Sequence, residues 1–325
     1  MLTDSILTSL NQHEQVGGIF CDLTKAFDCV NHEILLAKLH YYGIQGVNAN
    51  WFKTYITNRK QKVKITSQNH KGDSLCRWET IKYGVPQGSI LDPLLFIIYV
   101  NDLPSAIHQF ATPVIYVDDT SILVTAKDLK DLQIKVSSTL NHVSNWFSSS
   151  GLTLNMEKTN IIKFYSNHFH NNLQQSAFKI NTIKEVTNTK FLGLELDNNI
   201  NRKRHVAKIL PRLSRACYAV RAMYPISCIN MLKIIYFAYF HSINYGIIFW
   251  GNFTKSKNVF LAQKEIIRIM TGSSPKTSCK PLFQSLGILI VYSQYIFSLM
   301  KFLLQNQEMF TSNSESYPKR VNRKP

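Results

Sequence analysis

Acidic residues are scarce in this chain: 20 Asp and Glu stand against 37 Lys and Arg in 325 residues, for a formal net charge of +17. Such an excess favours a polyanionic partner, nucleic acid first and a membrane surface second. Cysteine is also sparse. The six thiols, Cys21, Cys29, Cys76, Cys217, Cys228 and Cys279, form no C-x-x-C pair and have no His at zinc spacing. Neither a zinc site nor a disulfide framework follows, and reduced thiols in an intracellular protein are the expectation. No basic segment followed by a long apolar run opens the chain, so a signal peptide is not expected. Long uninterrupted apolar runs are missing as well. Residues 234–250 are broken by His241, Ser242 and Asn244, and residues 288–304 by Ser293, Gln294 and Ser298. Both read as buried helices rather than membrane spans. There are no internal repeats.

What is present is a chain long enough for two domains, with 45% hydrophobic residues, the composition of a folded protein. Its organising stretch is residues 114–124, where two apolar, β-favouring runs flank Asp118 and Asp119. The pattern predicts a hairpin with both carboxylates at its tip. An isolated Asp-Asp turn is most simply solvated. A third acid changes the balance: Asp22 stands at the end of the strand-like run 16–21. A carboxylate at a strand end beside a carboxylate pair is how a sheet builds a site for a hard cation such as Mg²⁺. Two such ions roughly 4 Å apart can stabilise an in-line phosphoryl displacement.

Five sequence words extend this pattern: Phe20-Cys21-Asp22-Leu23-Thr24-Lys25-Ala26-Phe27-Asp28, Gly84-Val85-Pro86-Gln87-Gly88-Ser89, Tyr116-Val117-Asp118-Asp119, Gly151-Leu152-Thr153-Leu154-Asn155 with Lys158-Thr159, and Phe191-Leu192-Gly193. In this order and at these spacings the chain resembles the reverse transcriptases of non-LTR retrotransposons, the arthropod-type elements in particular. The resemblance implies an α/β fold, a polymerase palm with an antiparallel sheet and packed helices, followed by a helical thumb and a helical extension. It implies RNA-directed DNA synthesis with two Mg²⁺ ions (Mn²⁺ as a substitute), a deoxynucleoside triphosphate substrate, an RNA template and a DNA primer, in the nucleus or cytoplasm. Asp22, Asp118, Asp119 and the Leu23 carbonyl would hold metal, and Lys158 would protonate the leaving pyrophosphate. Phe27, Gln87 and Gly88 would meet the nucleotide, and Tyr116, Leu192 and Gly193 the primer.

Several of these residues keep a plainer reading. Lys158 also suits a solvated lysine, Phe27 a core ring, and the Gly84–Ser89 segment an ordinary loop. Two departures from the family pattern stand out. The basic fingers that precede Asp22 in the family are mostly missing, and no endonuclease or ribonuclease H segment is recognisable. Asp92 replaces a small hydroxyl residue, and with Pro93 it reads as an N-cap for a helix over 94–100.

Residues 59–65 alternate as a basic strand, either a charge-protected edge or a phosphate-binding one. Residues 31–42, 51–56 and 129–147 carry helical apolar spacing. Beyond residue 200, Arg204, Lys208, Arg212 and Arg215 share one helical face, suited to duplex phosphates or to water. Pro211 should kink or divide that helix. Helices are expected over 231–245, 260–270 and 291–304. The expected domains are a palm over 1–198, thumb-like basic helices over 199–227, a helical extension over 228–308 and a basic, disordered tail over 309–325. A degenerate, inactive nucleic-acid-binding fragment and a purely structural protein are the rival readings.

Overall fold

The computed structural model describes residues 2–65, 74–165 and 183–309. The basic tail expected over 309–325 lies almost wholly outside the described residues. The chain divides into two units, Met1–Leu192 and Gly193–Pro325.

The first unit opens with α1 (Leu2–Asn11) and β1 (Gln15–Cys21), then α2 (His32–Tyr41) and α3 (Gly46–Ile56). Asn31 caps α2, its side chain accepting from the N–H groups of Glu33 and Ile34. The basic segment that reads as one strand is two short pairs. β2 (Lys60–Gln61) and β3 (Lys64–Ile65) pair respectively with β5 (Glu79–Thr80) and β4 (Ser74–Leu75). Every residue from 58 to 65 is exposed. With no face to bury, hydrophobic packing cannot hold a long register there.

Next come α4 (Leu91–Val100), α5 (Leu103–Ile107), β6 (Thr112–Tyr116), β7 (Asp119–Ala126), α6 (Leu129–Ser149), β8 (Asn160–Phe164), β9 (Lys184–Glu185) and β10 (Asn188–Phe191). Five strands form an open sheet in the order β6-β7-β1-β8-β9. The first four are antiparallel, and β9 joins β8 in parallel. α6 covers one face with Leu132, Val136, Leu140, Val143 and Phe147 buried. The fit is close at β1. A Cβ on Gly17 would stand 3.3 Å from Val136 Cγ2, and one on Gly18 would stand 2.9 Å from the Phe164 ring. At Gly17 the missing side chain lets α6 approach the strand, and at Gly18 it leaves room for the Phe164 ring of β8.

The N-terminus of α4 differs from expectation. The helix begins at Leu91, so Asp92 lies inside its first turn. Ser89 Oγ accepts from the Asp92 N–H at 3.1 Å, and the Asp92 carboxylate accepts from the Gly88 N–H at 2.9 Å. Ile90 stands at the N-cap position and its side chain makes no capping bond; Ser89 just before it supplies the oxygen, and Asp92 returns a bond to Gly88, a variant of the reciprocal capping box.

The second unit runs β11 (Leu194–Asp197), α7 (Lys203–Met223), α8 (Ile229–Ile235), α9 (Ile247–Trp250), α10 (Ser256–Met270), α11 (Cys279–Leu286) and α12 (Val291–Gln305). Its core gathers Val206, Ile209, Leu213 and Val220 of α7 with Phe240, Trp250, Ile266 and Phe283. Pro211 does not divide α7, which is continuous for 21 residues. Pro211 and Ala207 both lie on the exposed side, where water can satisfy the carbonyl that proline leaves without a donor. Residues 231–245 are not one helix: α8 passes into a π-turn over Tyr236–Phe240 and a 3₁₀ turn over His241–Asn244.

Candidate active site

Asp22 follows β1 directly, and the backbone around it is pinned by the Gly151–Thr159 segment. The Asn155 N–H donates to the Asp22 carbonyl at 2.8 Å, and the Asp22 N–H donates to Thr159 Oγ1 at 3.3 Å. The Thr159 hydroxyl donates in turn to the Asn155 carbonyl at 2.7 Å. Thr159 is fully buried. Leu23 bridges Leu154 through the bonds of its neighbours, Thr24 N–H to the Thr153 carbonyl and Asn155 N–H to the Asp22 carbonyl. In that register the Leu23 carbonyl points away from residue 154 and stays open to another partner.

Asp118 and Asp119 are not equivalent. Tyr116 pairs with Asp119 across a two-residue turn of Val117 and Asp118, with Val117 at φ +56°. Asp118 therefore sits in the turn, while Asp119 opens β7. A β-branched residue in the left-handed region is strained, and such strain persists only where its surroundings hold it. β7 pairs with β1 up to Cys21↔Thr120, which brings the turn beside Asp22. The charges register this proximity. Burial, then Asp118 and Asp22, hold the Asp119 carboxyl above the ordinary carboxylate range, while Lys190 opposes the shift. Lys158 Nζ lies 3.8 Å from Asp22 Oδ2 and is largely exposed.

A second arm carries Phe27 and Gln87. The Gly84 N–H donates to the Val30 carbonyl at 2.8 Å, and the Val85 N–H to the Phe27 carbonyl at 3.0 Å. His32 Nε2 meets the Gly84 carbonyl at 2.8 Å. Gly84 has φ +88°, and a Cβ there would stand 3.0 Å from the Asp28 Cα, so a side chain is excluded twice. The clasp lets Gln87 Nε2 donate to Asp28 Oδ1 at 2.7 Å. Gly88 faces open space at φ +86°. Phe27 is half-buried and packs on Phe96 with ring centroids 4.8 Å apart.

Tyr116 is 61% exposed. Leu192 and Gly193 form a tight turn at φ +44° and +82°. In the second unit, Arg204, Lys208, Arg212 and Arg215 all lie on the exposed face of α7, and Lys208 forms an ion pair with Glu195. His205 beside them is held below its ordinary range by burial, against the pull of Glu195.

The donors around Asp22 are all oxygens, the chemistry that suits a hard divalent cation, and their mutual repulsion would be relieved by one. Among the described residues, however, no group of three or more His, Cys, Asp or Glu side chains is gathered tightly enough to hold a metal ion unaided. Asn155, Thr159 and Lys190 carry the site without having been singled out individually. The first two lie in a recognised sequence word, but their role depends on a backbone contact between segments far apart in the chain.

The reverse transcriptase (RNA-dependent DNA polymerase) family model matches residues 3–196, more than half of the chain. The chain belongs to this family. Among its relatives is a probable RNA-directed DNA polymerase from transposon X-element of Drosophila melanogaster, 25% identical over 83% of this chain and 30% of that protein. A probable RNA-directed DNA polymerase from transposon BS of the same organism is likewise 25% identical, with the same shares covered. The chain thus spans about 30% of the length of these relatives. Among solved structures, apo telomerase from Candida tropicalis superposes at a TM-score of 0.44 with 14% identity, over 93% of this chain and 48% of that one. That likeness is too remote to argue from. Among the described residues no single helix of this reverse-transcriptase-family chain is long and apolar enough to cross a membrane. α11 and α12, bent by 48°, pass on length and composition only as a pair.

Proposed function

We propose that this chain is the RNA-directed DNA polymerase region of a non-LTR retrotransposon protein, with its palm over residues 1–198, a thumb over 199–227 and an extension over 228–308. One observation carries the reading. Three carboxylates from two segments far apart in sequence, Asp22 and the Asp118–Asp119 turn, are brought to the same end of the β1–β7 pair, and Asp119 is held above its ordinary range by burial and by the other two. Asp22, Asp118 and the Leu23 carbonyl would hold two Mg²⁺ ions, with Asp119 supporting the pair. When bound, the ions supply charge stabilisation for the attacking and leaving oxygens of an in-line displacement.

The chain's own residues do the rest. Phe27 lies under the deoxyribose, and Gln87 and Gly88 line the nucleotide and templating base. Tyr116 and the Leu192–Gly193 turn meet the DNA primer on its RNA template. The primer 3′-hydroxyl attacks the α-phosphorus, a new P–O bond forms, and pyrophosphate departs. Lys158 gives the departing pyrophosphate a proton, and its Nζ already stands 3.8 Å from Asp22 Oδ2. Arg204, Lys208, Arg212 and Arg215 hold duplex phosphates, and such a protein works in the nucleus or cytoplasm.

A second reading is an element-derived nucleic-acid binder without catalysis, favoured by the lack of a tight metal cluster among the described residues. Primer extension on an RNA template with Mg²⁺ separates the two. Incorporation lost in Asp118→Asn supports the polymerase, and nucleic-acid binding without any incorporation supports the binder.

A further inference from the structure

The second unit contains a cavity of about 770 Å³, formed by α10, α11 and the segment leading into α12. Phe260, Phe283, Ile288 and Ile290 give it an apolar wall, and Lys264, Lys280, Gln284 and Ser293 are its polar lining. The size falls within the range of small-ligand sites. Among the described residues no acidic side chain lines it.

Its aromatic wall has a specific shape. The Phe260 and Phe283 rings are nearly parallel, with planes 22° apart and centroids 6.4 Å apart. Lys264 Nζ lies over the Phe260 ring at 4.5 Å, which brings a cation to the aromatic surface. Lys280 is exposed on the first turn of α11. Gly287 closes α11 at φ +63°, its N–H bonded to the Gln284 carbonyl and that of Ile288 to the Phe283 carbonyl. These bonds fix the loop that forms the cavity floor.

We propose that this cavity binds one unpaired nucleotide of a single-stranded nucleic acid. The base stacks on the partly exposed Phe260 ring as Lys264 Nζ moves off its face to a phosphate, with the buried Phe283 ring behind it, and any base offers a π face for this. Lys264 and Lys280 receive the flanking phosphates, and Gln284 and Ser293 offer hydrogen bonds to the base edge. A duplex is not accommodated, because its bases are already paired and stacked. An apolar peptide would leave both lysines without a counter-charge, and the absence of acids argues against a basic one. The site lies outside the matched family region, residues 3–196, and does not depend on the polymerase reading.

The test uses fluorescein-labelled 12-nucleotide oligo-rU and oligo-dU, a blunt duplex of equal length, and the full chain. Lys264→Gln with Lys280→Gln should flatten the slope of log affinity against log salt for single strands by about 1.4, two phosphates at ~0.7 each. Ser293→Trp, which fills the cavity mouth and removes no charge, should weaken single-strand binding at least about fivefold, the loss of one stacked base. Duplex affinity should be unchanged in both. With 5-iodouracil in the strand, ultraviolet cross-links should map to the peptide carrying Phe260 or Phe283. A preference between the two oligonucleotides would identify the sugar read, and equal binding would mean that only base and phosphate are read. Unchanged single-strand affinity in both variants, or cross-links confined to the first unit, would overturn the proposal.

Discussion

Replacing Thr159 by Val removes one hydroxyl and keeps the side-chain shape. That hydroxyl accepts from the Asp22 N–H at 3.3 Å and donates to the Asn155 carbonyl at 2.7 Å. The Asn155 carbonyl keeps a donor, the Thr159 N–H at 2.9 Å. The Asp22 N–H is the group left orphaned, and Thr159 itself is fully buried. Leaving a fully buried donor unsatisfied costs about 1–3 kcal/mol, and the long 3.3 Å bond, only part-buried at Asp22, places this one in the lower part of that range, ~1–2 kcal/mol. At roughly 2–4 °C per kcal/mol for a unit of this size, Tm should fall by about 2–8 °C. The functional effect should exceed the thermal one. Asp22 is the carboxylate whose backbone this bond fixes, and a misplacement near 1 Å at a reacting centre can cost roughly a hundredfold. Calorimetry and primer extension should be run on the wild type, Thr159→Val and Thr159→Ser. Ser restores the hydroxyl and should recover extension, while its Tm stays somewhat low because the buried γ-methyl is lost. A Val variant that loses Tm but extends primers at the wild-type rate would refute the claim that this bond positions Asp22. So would failure of Ser to rescue extension.

Gly84→Ala should destabilise the first unit by about 2 kcal/mol or more, since it adds a steric clash to an unfavourable φ, and chemical denaturation measures it. Asp119 gives a pH signature. Its folded pKa is raised, so the native state holds its proton more tightly than the unfolded state. The stability this gives is complete below the ordinary value of 3.8 and is lost as pH rises through the folded value. Asp119→Asn should therefore raise Tm at pH 7, flatten the pH dependence just above 3.8, and lose its advantage when Mg²⁺ is added. A lower Tm at pH 7 would count against the repulsion. Replacing Arg204, Lys208, Arg212 and Arg215 by Gln should flatten the salt slope of duplex binding by about one unit for each phosphate no longer neutralised. The effect should be smallest for Lys208, which Glu195 engages. Phe27→Val should admit ribonucleotides while keeping deoxynucleotide use. An equal loss with both sugars would leave the ring as packing for Phe96.

The parts of the fold legible in the sequence are those where side-chain pattern decides. The apolar run of β7 after Asp119 reflects burial on both faces and the apolar spacing of α6 burial on one, and burial is written in residue type. The points that escaped depend on competition between local preference and tertiary context. Pro211 ought to break a helix in isolation, yet Ile209 and Leu213 bury on either side of it and its ring faces water. Asp92 looks like a cap, but the preceding Ser89 offers one first, so the helix begins earlier. The chain from 231 onward looks like one helix, and its π-turn, with Tyr236 and Phe240 buried and stacked, appears only once those rings find their core. In the site, residue types gave the carboxylates. Nothing local announces that Thr159 holds the backbone of Asp22, because 137 positions separate them.

The central claim is that Asp22 and Asp118 hold the divalent ions of a polymerase. Its most direct test is Mn²⁺ binding followed by electron paramagnetic resonance, with RNA-templated primer extension on the same samples. Wild-type protein should bind Mn²⁺ and incorporate deoxynucleotides, and Asp22→Asn and Asp118→Asn should each lose most of both. Extension that persists in Asp22→Asn would contradict it, as would a wild-type chain that binds Mn²⁺ and nucleic acid but adds no nucleotide.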